Sequence, residues 1–221
     1  MRKYDLYGGR RDAELSTEKL GALARETASR AVRDGRSAFY KANARAAADD
    51  RRAIISADAE LEAAYAGGTE LPVGAEDFAN SFYIIEKAAG EAEAYARRLC
   101  ALPLEAEGER IGCPRLYSMA VEMAGHCGGR INGETIDGYL NAYQAVRPLK
   151  MRELRAFAGM LNTALVRQIR LDADGICIRA EQYAAAENAA ERLCAMPKES
   201  RRRNALIAKL ELEHNPAMAE R

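Results

Sequence analysis

The stretch Gly112–Ile169, GCPRLYSMAVEMAGHCGGRINGETIDGYLNAYQAVRPLKMRELRAFAGMLNTALVRQI, decides the fold of this chain. It holds three helix-like runs separated by helix breakers. Pro114 suits the first turn of the first run, where a missing backbone N–H leaves nothing unsatisfied. Leu116, Met119, Ala120 and Met123 then recur at spacings of three and four, the period of one helix face. Gly128 and Gly129 stop that run. Asn132 has the chemistry of an N-cap, with Ile131 and Ile136 spaced around it as a hydrophobic staple. Ile136, Tyr139, Leu140 and Tyr143 form the second face, and Pro148 sets the turn into the third run. Met151, Leu154, Ala158, Leu161, Leu165 and Ile169 open that run. The same phase continues through Ala173, Ile176, Ala180 and Tyr183, so the sequence predicts one helix from about Met151 to Cys194. Gly175 is the place where it would kink, at a cost of about 1 kcal/mol relative to Ala.

Working outward, Leu20, Leu23, Ala24, Thr27, Ala28 and Ala31 predict a helix from Ser16, ended at Asp34-Gly35. Ser37 is placed to cap a second helix carrying Phe39, Ala42, Ala46, Ile54, Asp58, Leu61 and Tyr65 on one face. Gly67-Gly68 breaks it, and Pro72 and Gly74 mark a loop. Phe78, Phe82, Ile85, Ala89, Ala92, Ala96 and Leu99 form the sharpest stripe in the chain, closed by Pro103. Beyond the long helix, Pro197 marks a stop. A last helix is predicted from Ser200 with Leu206, Ile207, Leu210 and Leu212. No segment reads as a strand, and no fixed-period repeat suggests a solenoid.

Composition narrows the function classes. Lys+Arg 33 against Asp+Glu 33 leaves a formal net charge of +0. A nucleic-acid partner is therefore not expected, because such affinity rests on excess cationic charge. Arg201, Arg202 and Arg203 nevertheless form a local basic cluster. No run approaches the ~20 apolar residues of a membrane span, so direct membrane insertion is not expected. The cysteines Cys100, Cys113, Cys127, Cys177 and Cys194 have no paired short spacing, and three fall on apparent apolar helix faces. They read as reduced, small core residues of a cytosolic segment. The polar residues 1–14 read as a mobile arm.

Each chemical candidate has a plainer counterpart. Asp172-Ala173-Asp174 matches the DxD pattern that holds a metal and a nucleotide sugar. On a helix, however, residues two apart project about 200° from each other, which argues against one shared ion. His126-Cys127 is the lone His/Cys neighbour pair, and His214 is distant; the last-turn position of His126 suits helix capping better than zinc. Arg115, Glu122 and Glu153 can line a carbohydrate or partner groove, or pair between helices as framework ions; pairing is the expectation. Tyr83, Tyr117, Tyr139 and Tyr143 can stack on sugar rings, but helical spacing favours packing. No catalytic residue, no metal ligand and no cofactor site is nominated.

The segments GCPRLYSMAVEMAGH, GGRINGETIDGYLNAYQAVRPL and MRELRAFAGMLNTALVRQI resemble the N-terminal helical region of cyclic β-1,2-glucan synthases and their relatives. The similarity spans roughly Leu15 to Leu193, with PRLYSMAVEMAGH at 114–126 and AYQAVRPLKMRELRA at 142–156 its most specific parts. EDFANSFYIIEKA at 76–88 adds to it. Where the family usually has an aromatic residue before the proline and a Trp after the Glu-Leu pair, this chain has Cys113 and Arg155.

The resemblance implies an all-α scaffold segment of a larger carbohydrate-active enzyme that builds β-1,2-glucan from a nucleotide sugar. The segment itself would be catalytically silent. Its implied partners are the catalytic domains of the same parent, with β-glucan a further candidate, and the parent would associate with the inner membrane. A stand-alone helical interaction or glucan-binding module is the alternative. The expected architecture is an irregular antiparallel bundle of about seven or eight helices. Residues 15–196 would form the domain, and 197–221 would open a further helical segment that the chain truncates.

Overall fold

The structure, a computed structural model, describes residues 14–99, 101–127, 130–197 and 200–214, with side chains to 210. The N-terminal arm expected over residues 1–14 lies almost wholly outside the described residues. Within them the chain is all-α, with seven helices: α1 (Thr17–Ser29), α2 (Phe39–Ala66), α3 (Ala75–Arg98), α4 (Arg115–His126), α5 (Gly133–Gln144), α6 (Met151–Ala195) and α7 (Arg201–His214). Two short strands, β1 (Val32–Arg33) and β2 (Leu104–Glu105), pair antiparallel in register Val32↔Glu105 and Arg33↔Leu104. These strands correct the expectation of none. Two residues each are too few to display an alternating pattern, and only tertiary pairing defines them.

The strands also explain why α1 ends early. Its expected stop was Asp34-Gly35, but the helix ends at Ser29. The Ala31 N–H instead donates to the Glu107 carboxylate at 2.6 Å, and the Ala106 N–H donates to the Ala31 carbonyl at 2.9 Å. Those bonds pull the backbone into an extended path. Other start signals act as expected. Ser16 accepts from the Lys19 N–H, and Asn132 accepts from the Thr135 N–H at 2.9 Å. Pro114 stands one residue before its expected place, at the cap of α4 rather than inside the first turn. Ser37 also does not cap α2 in the standard way. Its hydroxyl accepts from the Phe39 N–H and donates to the Gly112 carbonyl, tying α2 to the entry of α4.

Helix α4 is the axis of the bundle, with every residue from Arg115 to Gly125 buried. Around it Leu20, Ala24, Phe39, Tyr139, Tyr143, Phe157 and Met160 close one apolar cluster drawn from α1, α2, α5 and α6. A second cluster joins Ile54, Leu61, Phe78, Ala89, Val166 and Ile176 from α2, α3 and the middle of α6. Burying a side chain of the Phe, Leu or Ile kind contributes about 1.5–3 kcal/mol, so α6 is held by serving both clusters. The alanines of α2 and α3 let these helices approach closely.

Helix α6 runs unbroken through Gly175 to Ala195, as the spacing predicts. Its buried face includes Leu161, Ala173, Ile176 and Ala180 of the expected stripe but is wider than it. Phe157, Met160, Ala164, Val166 and Arg167 are buried, whereas Ala158, Met151 and Tyr183 are exposed. One stripe is too narrow for a helix flanked by α4 on one side and by α2 and α3 on another. Tyr65 and Tyr183 are 73% and 41% exposed.

A close contact fixes α3 on α6. The Tyr95 hydroxyl donates to the Ala156 carbonyl at 2.8 Å, and a Cβ at Gly159 would run into the Tyr95 ring. Gly138 on α5 is exposed with nothing near its missing Cβ. Gly159→Ala is expected to cost about 1–2 kcal/mol net, because overpacking outweighs the helix-propensity gain. Gly138→Ala is expected to gain about 0.5–1 kcal/mol from propensity alone. Urea unfolding followed by circular dichroism reads both; shifts of the same sign would contradict this packing.

Candidate functional site

Two of the charged residues singled out by the sequence meet each other. Arg115, at the start of α4, donates from Nε and Nη2 to the two oxygens of Glu153, both at 2.7 Å. Nη2 also reaches the Pro148 carbonyl at 3.1 Å, and the guanidinium carbon lies 5.7 Å from the Tyr143 ring centroid. Glu153 closes the arrangement by accepting the Lys150 N–H at 2.9 Å, which caps α6. Burial works against both charges, but the paired hydrogen bonds outweigh it. Glu153 is held below the usual carboxylate range, and Arg115 is held more firmly protonated. A bidentate geometry of this kind fixes orientation as well as charge.

Glu122, one turn from the end of α4, gathers three elements. It accepts from Thr27 Oγ1 at 2.8 Å, from Arg30 Nη1 at 3.2 Å and from the Tyr139 hydroxyl at 2.7 Å. Arg110 Nη1 stands 3.8 Å away. Burial is the first reason that the Tyr139 phenol is pushed well above its ordinary value, with Glu122 adding to it, so the hydroxyl stays a donor.

A third node was not nominated from the sequence. Arg167 on α6 is 2% exposed and donates to Asp50 Oδ2 at 3.2 Å, to Asn43 Oδ1 at 2.7 Å and to the Tyr117 hydroxyl at 2.7 Å. Its guanidinium also lies 5.4 Å from the Tyr117 ring centroid. One side chain thus joins α2, α4 and α6.

Glu105 on β2 is the exception among the buried ions. It is 1% exposed, and neither carboxylate oxygen has a hydrogen-bond partner among the described residues. Burial raises its pKa, while the nearby Ser118 hydroxyl, Arg30 and Arg110 pull the other way and Glu122 adds repulsion.

The remaining candidates separate. Tyr117, Tyr139 and Tyr143 are buried, as packing requires, but Tyr83 is 78% exposed and is not a packing residue. It stands on the outer side of α3, next to Ile84, which is 70% exposed. Asp174 pairs with Arg170 at 3.0 Å one turn away on α6, and Gln168 donates to Asp172 at 3.5 Å. Among the described residues no three His, Cys, Asp or Glu side chains gather as metal ligands. His126 lies in the last turn of α4, and its carbonyl accepts the Leu15 N–H at 3.0 Å. The side chain of His214 lies outside the described residues, as does Cys100. Cys113 and Cys127 are buried free thiols and Cys177 is half-buried, its thiol pushed up to about 11 chiefly by burial. Cys194 is exposed, which corrects its reading as a core residue: α6 has left the bundle by that point.

A groove of about 870 Å³ lies between the end of α2, the 67–74 loop and the start of α3. Tyr65 and Val73, 73% and 93% exposed, stand at it beside Leu61 and Leu71. A smaller cleft of about 510 Å³ shares Val73 and continues to Phe78, Ile176 and Arg179. Among the described residues, no helix is long and apolar enough to cross a membrane.

Compared with known proteins, the chain matches no family model and no curated relative.

Two variants test the buried ions. Arg115→Met leaves Glu153 charged, buried and unpaired, an expected loss of about 3–5 kcal/mol, whereas Arg115→Met with Glu153→Met is expected to lose less. A double variant as damaged as the single one would contradict the pairing account. The carboxylates should also respond oppositely to pH. The lowered pKa of Glu153 gives stability present above the ordinary value of 4.5 and lost as pH falls through the folded pKa. The raised pKa of Glu105 gives stability present below 4.5 and lost as pH rises through the folded pKa. Thermal unfolding should therefore show Glu105→Gln gaining on the parent protein from acid to neutral pH. Glu153→Gln should fall behind it over the same interval.

Proposed function

We propose that this chain is a non-catalytic helical scaffold segment of a cyclic β-1,2-glucan synthase-like enzyme. The parent reaction is glucosyl transfer from a nucleotide sugar, and the segment's role is to brace the catalytic domains of the same parent. The proposed setting is cytoplasmic for this segment, with the parent at the inner membrane. One observation carries the reading. Arg115, Glu122 and Glu153, the three charged residues of the glucan-synthase-like segments that could have lined a groove, are all buried and engaged in bonds between helices, whereas Arg130, Glu134, Asp137, Arg152 and Arg155 of those segments are exposed. Side chains held in that way position helices and do not meet a substrate. Tyr117, Tyr139 and Tyr143 in the same segments are buried as well, which supports packing over sugar stacking.

A stand-alone interaction or glucan-binding module is the second reading, and the exposed Tyr65 beside its groove favours it. Sugar recognition commonly uses an aromatic face available to solvent.

The reading frame downstream of the Arg221 codon in the source genome separates the two. The scaffold reading expects it to continue into a glycosyltransferase domain. A stop codon at that point would contradict the scaffold and leave the stand-alone module. Calorimetry with a β-1,2-linked gluco-oligosaccharide gives an independent check. The scaffold reading expects no binding by the chain, whereas binding abolished by Tyr65→Ala would establish a glucan module.

A further inference from the structure

The groove at the end of α2 is unusual in its charge. Asp58, Glu62, Glu70, Glu76 and Asp77 line it, and no lysine or arginine is among its lining residues. Glu76 and Asp77 sit in the first turn of α3, where the helix dipole favours acidic side chains, so they need no further reason. Asp58 and Glu62 have no such reason. Glu62 stands near the C-terminal end of α2, where negative charge is unfavourable, with Asp58 one turn before it, and the last turn of α2 holds no basic residue. Among the described residues none of the five carboxylates has an ion-pair partner. Burial, Glu62 and Glu86 together push the Asp58 pKa up. Between the acids stand Tyr65 and Val73, large apolar side chains open to solvent.

The complementary pole is on the same chain. Because total charge is balanced, a concentration of acid in one place is matched by base elsewhere, and the densest basic run is Arg201-Arg202-Arg203. It occupies the first turn of α7, with no acidic residue there to suit the dipole. Three arginines at a helix N-terminus oppose helix formation, just as Glu62 opposes the end of α2. Arg201 and Arg202 are exposed and have no ion-pair partner among the described residues. They lie just past the end of α6, which projects beyond the bundle with Ala185, Ala186, Glu191 and Arg192 all exposed.

We infer that two copies of this chain associate reciprocally, the start of α7 of each seated in the acidic, apolar groove beside Tyr65 and Val73 of the other. A contact repeated by two-fold symmetry closes on itself and leaves neither pole exposed. Self-association holds whether or not the chain belongs to a larger synthase, so its failure would not touch the scaffold reading.

Sedimentation velocity and light scattering on the full chain test this, with charge reversals chosen to suit their helices. Glu62→Lys with Glu70→Lys removes an unfavourable charge from the end of α2, and Arg201→Glu with Arg202→Glu does the same at the start of α7. Neither pair is expected to unfold the protein. The parent protein should sediment at twice the chain mass at low salt, and dissociate at about 1 M salt, where screening acts beyond about 3 Å. Each reversal alone should weaken the dimer by about tenfold or more. Mixing the two variants should restore it, because each groove then meets a tip of opposite charge. A parent protein that stays monomeric at low salt would overturn the proposal and leave the groove to a basic segment of another protein. A dimer indifferent to both reversals would also overturn it, and so would variants that fail to dimerise on mixing.

Discussion

Arg167 is the constraint on which the bundle depends. A guanidinium only 2% exposed has lost its hydration, so the surrounding helices must supply acceptors or the fold does not form. Asp50 and Asn43 of α2 supply two, and the Tyr117 hydroxyl of α4 supplies a third. These bonds set the rotation of α6 about its own axis and the depth at which α2 lies. Once α6 is fixed there, Glu153 lies where Arg115 can reach it, and the apolar side chains of the two clusters meet. Hydrophobic burial drives the association, while the buried ions choose which of several similar packings of alanine-rich helices is adopted.

The same logic separates framework from surface. Arg115, Glu122, Glu153 and Arg167 within the glucan-synthase-like segments point inward and are paired, and Tyr117, Tyr139 and Tyr143 are buried with them. Accessible side chains stand at the far end of α2, on the outer side of α3 and along the last turns of α6. The ends of the helices are therefore where this segment offers shape and charge to a partner. That agrees with a bracing role in a larger enzyme and with association through the acidic groove.

Much of the fold was legible because local signals agreed with one another. Ser16 and Asn132 cap helices, Pro197 follows the end of α6, and the spacing from Met151 onward runs unbroken to Ala195. What escaped was long-range. Asn43 and Asp50 lie 124 and 117 residues from Arg167, so nothing local couples them. A signal was present nonetheless: Phe39, Asn43, Ala46, Asp50, Ile54, Ala57 and Leu61 share one phase on α2, and two polar residues inside an apolar stripe mark a buried partner. The stripe on α6 found Leu161, Ala173, Ile176 and Ala180 but missed Phe157, Met160 and Arg167, because a helix packed on two sides has no single face. Glu105 was invisible because the two-residue strand that buries it has no periodicity. Of the groove, Pro72 and Gly74 marked the loop, but the convergence of its carboxylates needed the antiparallel return of α3 along α2.

Urea unfolding of Arg167→Met, alone and with Asp50→Ala, is the most direct measurement of this account. The single variant leaves Asp50 charged and buried, and should lose about 3–5 kcal/mol. The second substitution should return part of that loss, because the buried carboxylate that faced Arg167 is then gone as well. A single variant within about 0.5 kcal/mol of the parent protein would contradict the account, since surface substitutions behave that way and buried ion anchors do not.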